Sequence, residues 1–179
     1  MILKISTYGS SILRKKAEPV KEITPALVEL AHNMLETMYK ANGVGLAAPQ
    51  VGKSIRLVVI DLSKEEDERT PVILFNPEVK PEDGENPLVT DEEGCLSVPD
   101  IWAKVSRPGR VHLTYENEKG EKIDMRDVTG KFARCALHEV DHLNGVLFVD
   151  KISIADRAVN ASKLKRMVKG NQSSGNSAL

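Results

Sequence analysis

Two histidines separated by three residues are the part of this sequence best suited to chemistry. They belong to the segment His138-Glu139-Val140-Asp141-His142, which has the H-E-x-x-H pattern and lies in a stretch predicted to be helical. Residues four apart share one face of an α-helix, about 6 Å apart along its axis, so both imidazoles can reach one metal ion. Glu139 then lies where a general base is needed to take a proton from water. The pattern therefore predicts a catalytic metal site.

A catalytic site of this type needs a third protein ligand and one open position. No Glu follows Glu139 and no His follows His142, which excludes the downstream Glu or His ligand of the common zinc peptidases. The third ligand is therefore an upstream residue or an Asp. Cys135 lies seven residues before His142, about 10 Å along a helix, and is too far away. Cys95, which follows the flexible Gly94, is the favoured third ligand. The alternative for Cys95 is a small buried side chain, as many free cysteines are.

Composition and charge limit the class of protein. A chain of 179 residues with 41% hydrophobic residues is long enough for one globular domain. Its net charge of −1 offers no overall electrostatic attraction for DNA or an anionic membrane. No apolar run is long enough to span a bilayer. We therefore expect a cytoplasmic protein with neither DNA nor membrane as a partner, and reduced cysteines.

Hydrophobic periodicity and capping residues predict three helices. The first covers residues 25–41 after Thr24 as N-cap, the second covers residues 130–144 and carries the H-E-x-x-H segment, and the third covers residues 154–169 with Ser153 and Asp156 as a capping pair. Alternating or β-branched segments predict strands at residues 55–61, 72–75, 111–116, 122–125 and 146–149. His112 falls in the third of these strands and is expected to be a strand residue, not a ligand. Residues 1–170 are expected to form a single catalytic domain and residues 171–179 a disordered tail.

Three short motifs together resemble those of the peptide deformylase family. They are Gly43-Val44-Gly45-Leu46-Ala47-Ala48-Pro49-Gln50, Glu93-Gly94-Cys95-Leu96-Ser97 and the H-E-x-x-H segment, in this order. The resemblance implies an α+β fold in which antiparallel sheets surround a central helix carrying the H-E-x-x-H motif, with a further helix at the C-terminus. It also implies removal of the formyl group from formyl-methionine at the start of newly made polypeptides, with release of formate.

The resemblance also implies a role for each site residue. A divalent metal ion would be held by Cys95, His138 and His142. Glu139 would move the proton, while the side-chain amide of Gln50 and the backbone N–H of Leu96 would stabilise the oxyanion. The substrate peptide would lie along the backbone edge at Val44-Gly45. Its methionine side chain would enter an apolar pocket formed by Val44, Cys135 and the stem of Arg134. The expected substrate-binding residues are therefore Gly43, Val44, Gly45, Arg134 and Cys135.

Several points stay open at the level of sequence. One thiolate with two imidazoles suits Fe²⁺, Zn²⁺, Co²⁺ or Ni²⁺, and the resemblance favours Fe²⁺ as the native ion. Asp141, paired with Arg107, is expected to orient the site. By resemblance, the stretch Asp100-Ile101-Trp102 corresponds to a region where some family members carry an Arg, and Trp102 either lines the cleft or merely packs. A zinc peptidase of another type and a closed, non-catalytic metal module are the competing functions.

A ribosome contact is also left open, because the last predicted helix carries a group of basic residues. The cations are Lys163, Lys165, Arg166 and Lys169. By resemblance they would dock on ribosomal RNA. The alternative is that they only stabilise the C-terminal end of their own helix, where positive charge is favourable.

Overall fold

The computed structural model describes residues 1–63 and 65–175. It contains helices α1 (Pro25–Lys40), α2 (Gly130–Leu143) and α3 (Ile154–Gly175). Seven strands accompany them: β1 (Gly45–Ala47), β2 (Leu57–Ile60), β3 (Val72–Pro81), β4 (Leu88–Cys95), β5 (Val98–Pro108), β6 (Arg110–Glu116) and β7 (Lys122–Thr129). Within the described ranges, no helix is both long and apolar enough to cross a membrane.

The strands form two antiparallel sheets. The larger has five strands in the order β1-β2-β3-β6-β7, and the smaller is the β4–β5 hairpin. Strand β1 therefore lies at one edge of the larger sheet, with a partner on one side only. The predicted hairpin between residues 111–116 and 122–125 is confirmed as β6 and β7.

The larger sheet is covered on both faces at β2, which explains why all four residues of this strand are buried. Leu57 and Val59 pack in one cluster with Met34 of α1, while Val58 and Ile60 pack in another with residues of α2. A strand buried on both faces reads as a continuous apolar run because alternate side chains meet different helices. Helix α2 is thereby held in the interior, and the predicted α+β class with a central motif helix is confirmed.

Two predicted boundaries were wrong. Residues 146–149 do not form a strand: Phe148–Asp150 is a 3₁₀ helix, because the Leu147 N–H donates to Asp150 Oδ2 at 2.9 Å and closes a turn. The third helix continues through Gly170 to Gly175, because Gly170 does not adopt the left-handed conformation that commonly ends a helix. Residues 176–179 of the predicted tail lie outside the described residues.

The capping prediction for α3 is confirmed, whereas the β4–β5 hairpin was missed. Ser153 Oγ accepts a hydrogen bond from the Asp156 N–H at 3.0 Å and donates one to Asp156 Oδ2 at 2.7 Å. The signal for the missed hairpin was the alternation of buried Ile101, Ala103 and Val105 with exposed residues along β5. This hairpin delivers Cys95 to the site.

Candidate active site

Three potential metal ligands from two elements come together. Cys95 ends β4, whereas His138 and His142 lie one turn apart on α2, and their ligand atoms are all within 4.8 Å of one another. Cys95 Sγ lies 3.2 Å from His142 Nε2. Metal–nitrogen and metal–sulfur bonds of about 2.0–2.3 Å around one tetrahedral ion bring ligand atoms to comparable separations. The donor set and its spacing fit a divalent transition metal.

A buried carboxylate holds one of the histidines. His138 Nδ1 donates to Glu93 Oε2 at 2.9 Å, which leaves Nε2 to face Cys95 and His142. Two N–H groups of Arg107 donate hydrogen bonds to the same carboxylate, at 2.5 Å and 2.9 Å. Burial alone would raise the pKa of Glu93, but hydrogen bonds from His138 and Arg107 outweigh it and bring the pKa to about 2. Glu93 is therefore an ionised acceptor that orients the imidazole.

Asp141 acts through Arg107 and not directly on the metal ligands. Arg107 Nη1 donates to Asp141 Oδ2 at 2.9 Å, which confirms the pairing predicted from sequence. The same guanidinium thus connects β4, β5 and α2. The contact between Glu93 and His138 was not predicted, because Glu93 was recognised only as part of a motif. The sequence signal for this contact was that Glu93 precedes Cys95 by two positions, so both side chains point to the same face of a strand.

Glu139 lies on the same helical turn as the two histidines and is 4% exposed. Among the described residues its Oε2 has no hydrogen-bond partner. Burial raises the pKa of Glu139 to about 7. A buried carboxyl with one free oxygen and a pKa near neutrality is suited to proton transfer at physiological pH.

Gly45 on edge strand β1 lets Glu139 approach the backbone. A Cβ at Gly45 would lie 2.5 Å from Glu139 Oε1 and 2.7 Å from Cys135 Sγ, so only glycine fits. Cys135 lies outside the ligand cluster, and its thiol donates weakly to the Val44 carbonyl at 3.8 Å. Burial raises the pKa of the Cys135 thiol well above its ordinary value, which keeps it protonated.

The amide of Gln50 is fixed at both ends. The Ala47 N–H donates to Oε1 at 2.8 Å, and Nε2 donates to Ser97 Oγ at 3.0 Å. The second N–H of Nε2 points toward Cys95 Sγ, 3.6 Å away. This orientation directs a neutral donor at the ligand cluster.

These groups open into a cavity of about 700 Å³, a size that suits a short peptide segment. It is lined by all five predicted substrate-binding residues and by Gln50, Leu96 and Glu139. Arg134 does more than line it, since its guanidinium donates to Glu93 Oε1 at 2.8 Å and to the Val105 carbonyl at 3.0 Å. Trp102 lines the cavity as well and is 66% exposed, so it is not a core residue.

Comparison with known proteins agrees with this geometry. The family model described as polypeptide deformylase matches residues 2–158. A peptide deformylase from Synechococcus sp. is 47% identical over 92% of this chain and 79% of the relative, and one from Thermodesulfovibrio yellowstonii is 44% identical over 92% and 97%. The crystal structure of the Thermus thermophilus peptide deformylase has a TM-score of 0.83, with 37% identity over 94% of this chain and 99% of the other.

The family match covers most of the chain and includes every motif residue discussed above. Fold, relatives and ligand cluster all point to one activity. The chain therefore belongs to the peptide deformylase family, whose metal-dependent members remove the formyl group from the N-terminal formyl-methionine of newly made polypeptides and release formate.

Proposed function

We propose that Cys95, His138 and His142 hold the divalent metal ion of this deformylase, with Fe²⁺ as the native ion. A thiolate and two imidazoles also suit Zn²⁺, Co²⁺ and Ni²⁺. The spacing of the three donor atoms, all within 4.8 Å of one another, supports the ligand set. When bound, the ion supplies Lewis acidity toward a water molecule and toward the formyl oxygen.

The remaining chemistry belongs to side chains around the cluster. Glu139 takes a proton from the attacking water and passes it to the amine that leaves when the formyl C–N bond breaks. The free oxygen of this carboxylate, buried on the same turn as both histidines, is the observation that carries the proposal. Gln50 Nε2 and the Leu96 N–H donate to the oxygen as it gains charge, which favours the transition state over the planar formyl group.

Substrate position follows from the edge of the larger sheet. Strand β1 has a partner on one side only, so its other edge can pair with an extended peptide. The peptide would run along Val44 and Gly45, with the methionine side chain toward Cys135 and the stem of Arg134. Gly43, just after α1, lets Leu96 lie close to this edge, since a Cβ at Gly43 would lie 2.7 Å from Leu96 Cδ1.

The test is a deformylation assay on anaerobically purified protein, with metal content measured on the same sample. Release of formate from formyl-Met-Ala supports the proposal, and Glu139→Gln should retain metal while losing at least about 100-fold in kcat. Cleavage of the peptide bond instead would favour a zinc peptidase. Absence of turnover at full metal occupancy would favour a closed metal module. Near-normal turnover of metal-loaded Glu139→Gln would exclude Glu139 as the proton carrier.

We propose further that the basic residues of α3 contact ribosomal RNA. All four predicted cations are exposed, and none lies in the last turn of the helix, which continues to Gly175. Charge–dipole stabilisation is strongest in the last turn, so this placement supports a role beyond the helix end. Reversing the charges of Lys165 and Arg166 should weaken a salt-sensitive association with ribosomes, whereas reversing Lys119 and Lys122 at the β6–β7 turn should not. Equal binding by both variants would contradict this contact.

A further inference from the structure

Trp102 points away from the protein interior although it is the only tryptophan of the chain. Along β5 the inward positions are Ile101, Ala103 and Val105, and Trp102 lies on the opposite, solvent-facing side. It is 66% exposed, whereas two other large aromatic side chains, Phe75 and Phe148, are fully buried. Core packing therefore does not explain where this ring lies.

A bulge in β5 sets the direction of the ring. The pairing passes from Cys95↔Val98 to Glu93↔Ala103, so β5 has extra residues opposite Gly94. Asp100, within this bulge, has a φ of 61°, which is uncommon for a residue with a side chain. Both Val98 and Ile101 point inward as a result, whereas uninterrupted alternation from Val98 would have turned position 102 inward. Bulges are frequent beside active sites, where they redirect a side chain.

The bulge is braced from outside the hairpin. Lys163 Nζ of α3 donates to the Asp100 carbonyl at 2.8 Å. The left-handed residue that directs Trp102 outward is therefore held by a second element. The placement of the ring is built into the fold.

The ring lies against the backbone next to a metal ligand. A Cβ added to Gly94 would lie 2.8 Å from Trp102 Cε3 and Cζ3 and 2.9 Å from Cδ2, so the glycine is what allows this contact. Gly94 directly precedes Cys95. One side of the indole is covered by the Gly94 backbone, and the ring lines the same cavity as His138 and Glu139.

Other apolar side chains share the rim of this cavity. Val44 is 51% exposed and Leu62 is 36% exposed, and both line the cavity together with Trp102. The cavity is larger than one methionine side chain needs, so room remains for residues that follow the formyl-methionine. An aromatic ring with a free face stacks well on another apolar or aromatic group.

We propose that Trp102 is a specificity-determining residue whose exposed ring binds an apolar or aromatic side chain at one of the two substrate positions that follow formyl-methionine. The proposal rests on the assignment of this cavity to the peptide in the proposed function. It predicts selection among nascent chains by their second or third residue. It places no proton transfer on Trp102.

The first test compares kcat/KM for formyl-Met-Ala-Ser, formyl-Met-Phe-Ser and formyl-Met-Ala-Phe. The wild-type enzyme should prefer one phenylalanine peptide by about tenfold, mainly through KM, since tenfold corresponds to one good apolar contact. Trp102→Ala should reduce that preference to about twofold, and Trp102→Phe should restore most of it. Leu88→Ala is the matched control, because Leu88 is 67% exposed on the same hairpin and does not line the cavity.

Three kinetic results would overturn the proposal. An equal loss on all three peptides would assign Trp102 a structural role, and an unchanged preference in Trp102→Ala would leave the ring without a role in selection. The third is a preference of the wild-type enzyme for matched peptides that carry lysine in place of phenylalanine. That result would point to the acidic Asp91 and Glu92, which line the same cavity.

The second test measures binding without turnover, because the fluorescence of the protein's single tryptophan comes from Trp102. Zinc-loaded Glu139→Gln protein is titrated with the three peptides while Trp102 emission is recorded. The favoured phenylalanine peptide should shift the emission to the blue, and formyl-Met-Ala-Ser should shift it much less. A peptide-dependent shift without formate release by the wild-type enzyme would contradict the proposed function alone. Formate release with neither shift nor preference would contradict the role of Trp102 alone.

Discussion

The side chain of Gln50 illustrates how one residue can serve both the fold and the reaction. Its Oε1 accepts the Ala47 N–H, and this bond holds the turn after β1. Its Nε2 faces Cys95 and Ser97, in the direction of the proposed oxyanion. The two functions are separable because each uses a different end of the amide.

We predict that Gln50→Leu and Gln50→Glu both lower kcat by about 100-fold, since one oxyanion donor contributes about 3 kcal/mol. Only Gln50→Leu should also lower the melting temperature, because it leaves the buried Ala47 N–H without its acceptor. Steady-state kinetics and thermal unfolding on metal-loaded proteins provide the measurement. A change confined to KM would mean that Gln50 binds only the ground state.

At the level of secondary-structure elements, Arg107 of β5 links the β4–β5 hairpin to helix α2. Its guanidinium reaches Glu93 on β4 and Asp141 on α2, and it is only 3% exposed. Glu93 in turn orients His138. The position of His138, a proposed metal ligand on α2, therefore depends on the side chain of Arg107 from the β4–β5 hairpin.

Arg107→Lys is predicted to weaken metal binding by about 10- to 100-fold, the usual effect of disturbing a group that orients a ligand. Lysine keeps the charge but cannot donate to Glu93 through two parallel N–H groups and to Asp141 through a third. Competition with a chelator measures the affinity. Arg110→Lys is the matched control, because Arg110 is also paired with an aspartate, Asp127, but far from the ligands. Equal affinities in both variants would contradict the role given to Arg107.

A second link between elements should appear in the pH dependence of stability. Arg14 ends a short 3₁₀ helix, Ser11–Arg14, near the start of the chain. Its guanidinium pairs with Asp150, which ends the 3₁₀ helix Phe148–Asp150, at 2.5 Å. Burial opposes ionisation of Asp150, but hydrogen bonds from Arg14 and the Leu147 N–H outweigh it and hold the pKa below the usual 3.8. Its contribution to stability is therefore complete above about pH 5 and is lost as the pH falls through the folded-state pKa.

Asp150→Asn should lower the free energy of unfolding at pH 7 by about 1 kcal/mol and flatten its decrease below about pH 4. Urea unfolding at a series of pH values measures both effects. Arg14→Gln should lower stability at pH 7 as well, because it removes the same pair. An unchanged acid slope in Asp150→Asn would show that other carboxylates determine it.

In the whole molecule, the proposed metal site lies between the two sheets. Cys95 belongs to the β4–β5 hairpin, whereas the histidines lie on α2, which packs on the five-stranded sheet. An ion bound by ligands from both bodies stabilises only the folded state. Loss of the ion should therefore be visible in global stability as well as in activity.

Metal removal by a chelator is predicted to lower the melting temperature of the wild-type protein and of Cys135→Ser. Cys95→Ser should melt at the lower temperature from the start and show no further change, because serine is a poor and mostly protonated ligand. Metal content and calorimetry are measured on the same samples. A metal-free Cys135→Ser beside a normally loaded Cys95→Ser would reverse the ligand assignment.

The sequence by itself determined the parts of this protein that depend on local spacing. Helical periodicity puts His138, Glu139 and His142 on one turn whatever surrounds them, and capping residues mark the starts of α1 and α3. The choice of Cys95 over Cys135 also followed from distance along a helix. The α+β class and the deformylase reaction were predicted from the resemblance of three motifs, in their order along the chain, to those of the family.

Only the tertiary structure decided contacts between distant segments. The β4–β5 hairpin brings Glu93 to His138, and the bulge at Asp100 turns Trp102 toward the cavity. Neither follows from local pattern, because strand register and bulges depend on pairing partners that a single segment does not contain. The turn at Phe148–Asp150 was mispredicted for a related reason: an apolar run is buried equally well as strand or turn, and packing selects between them.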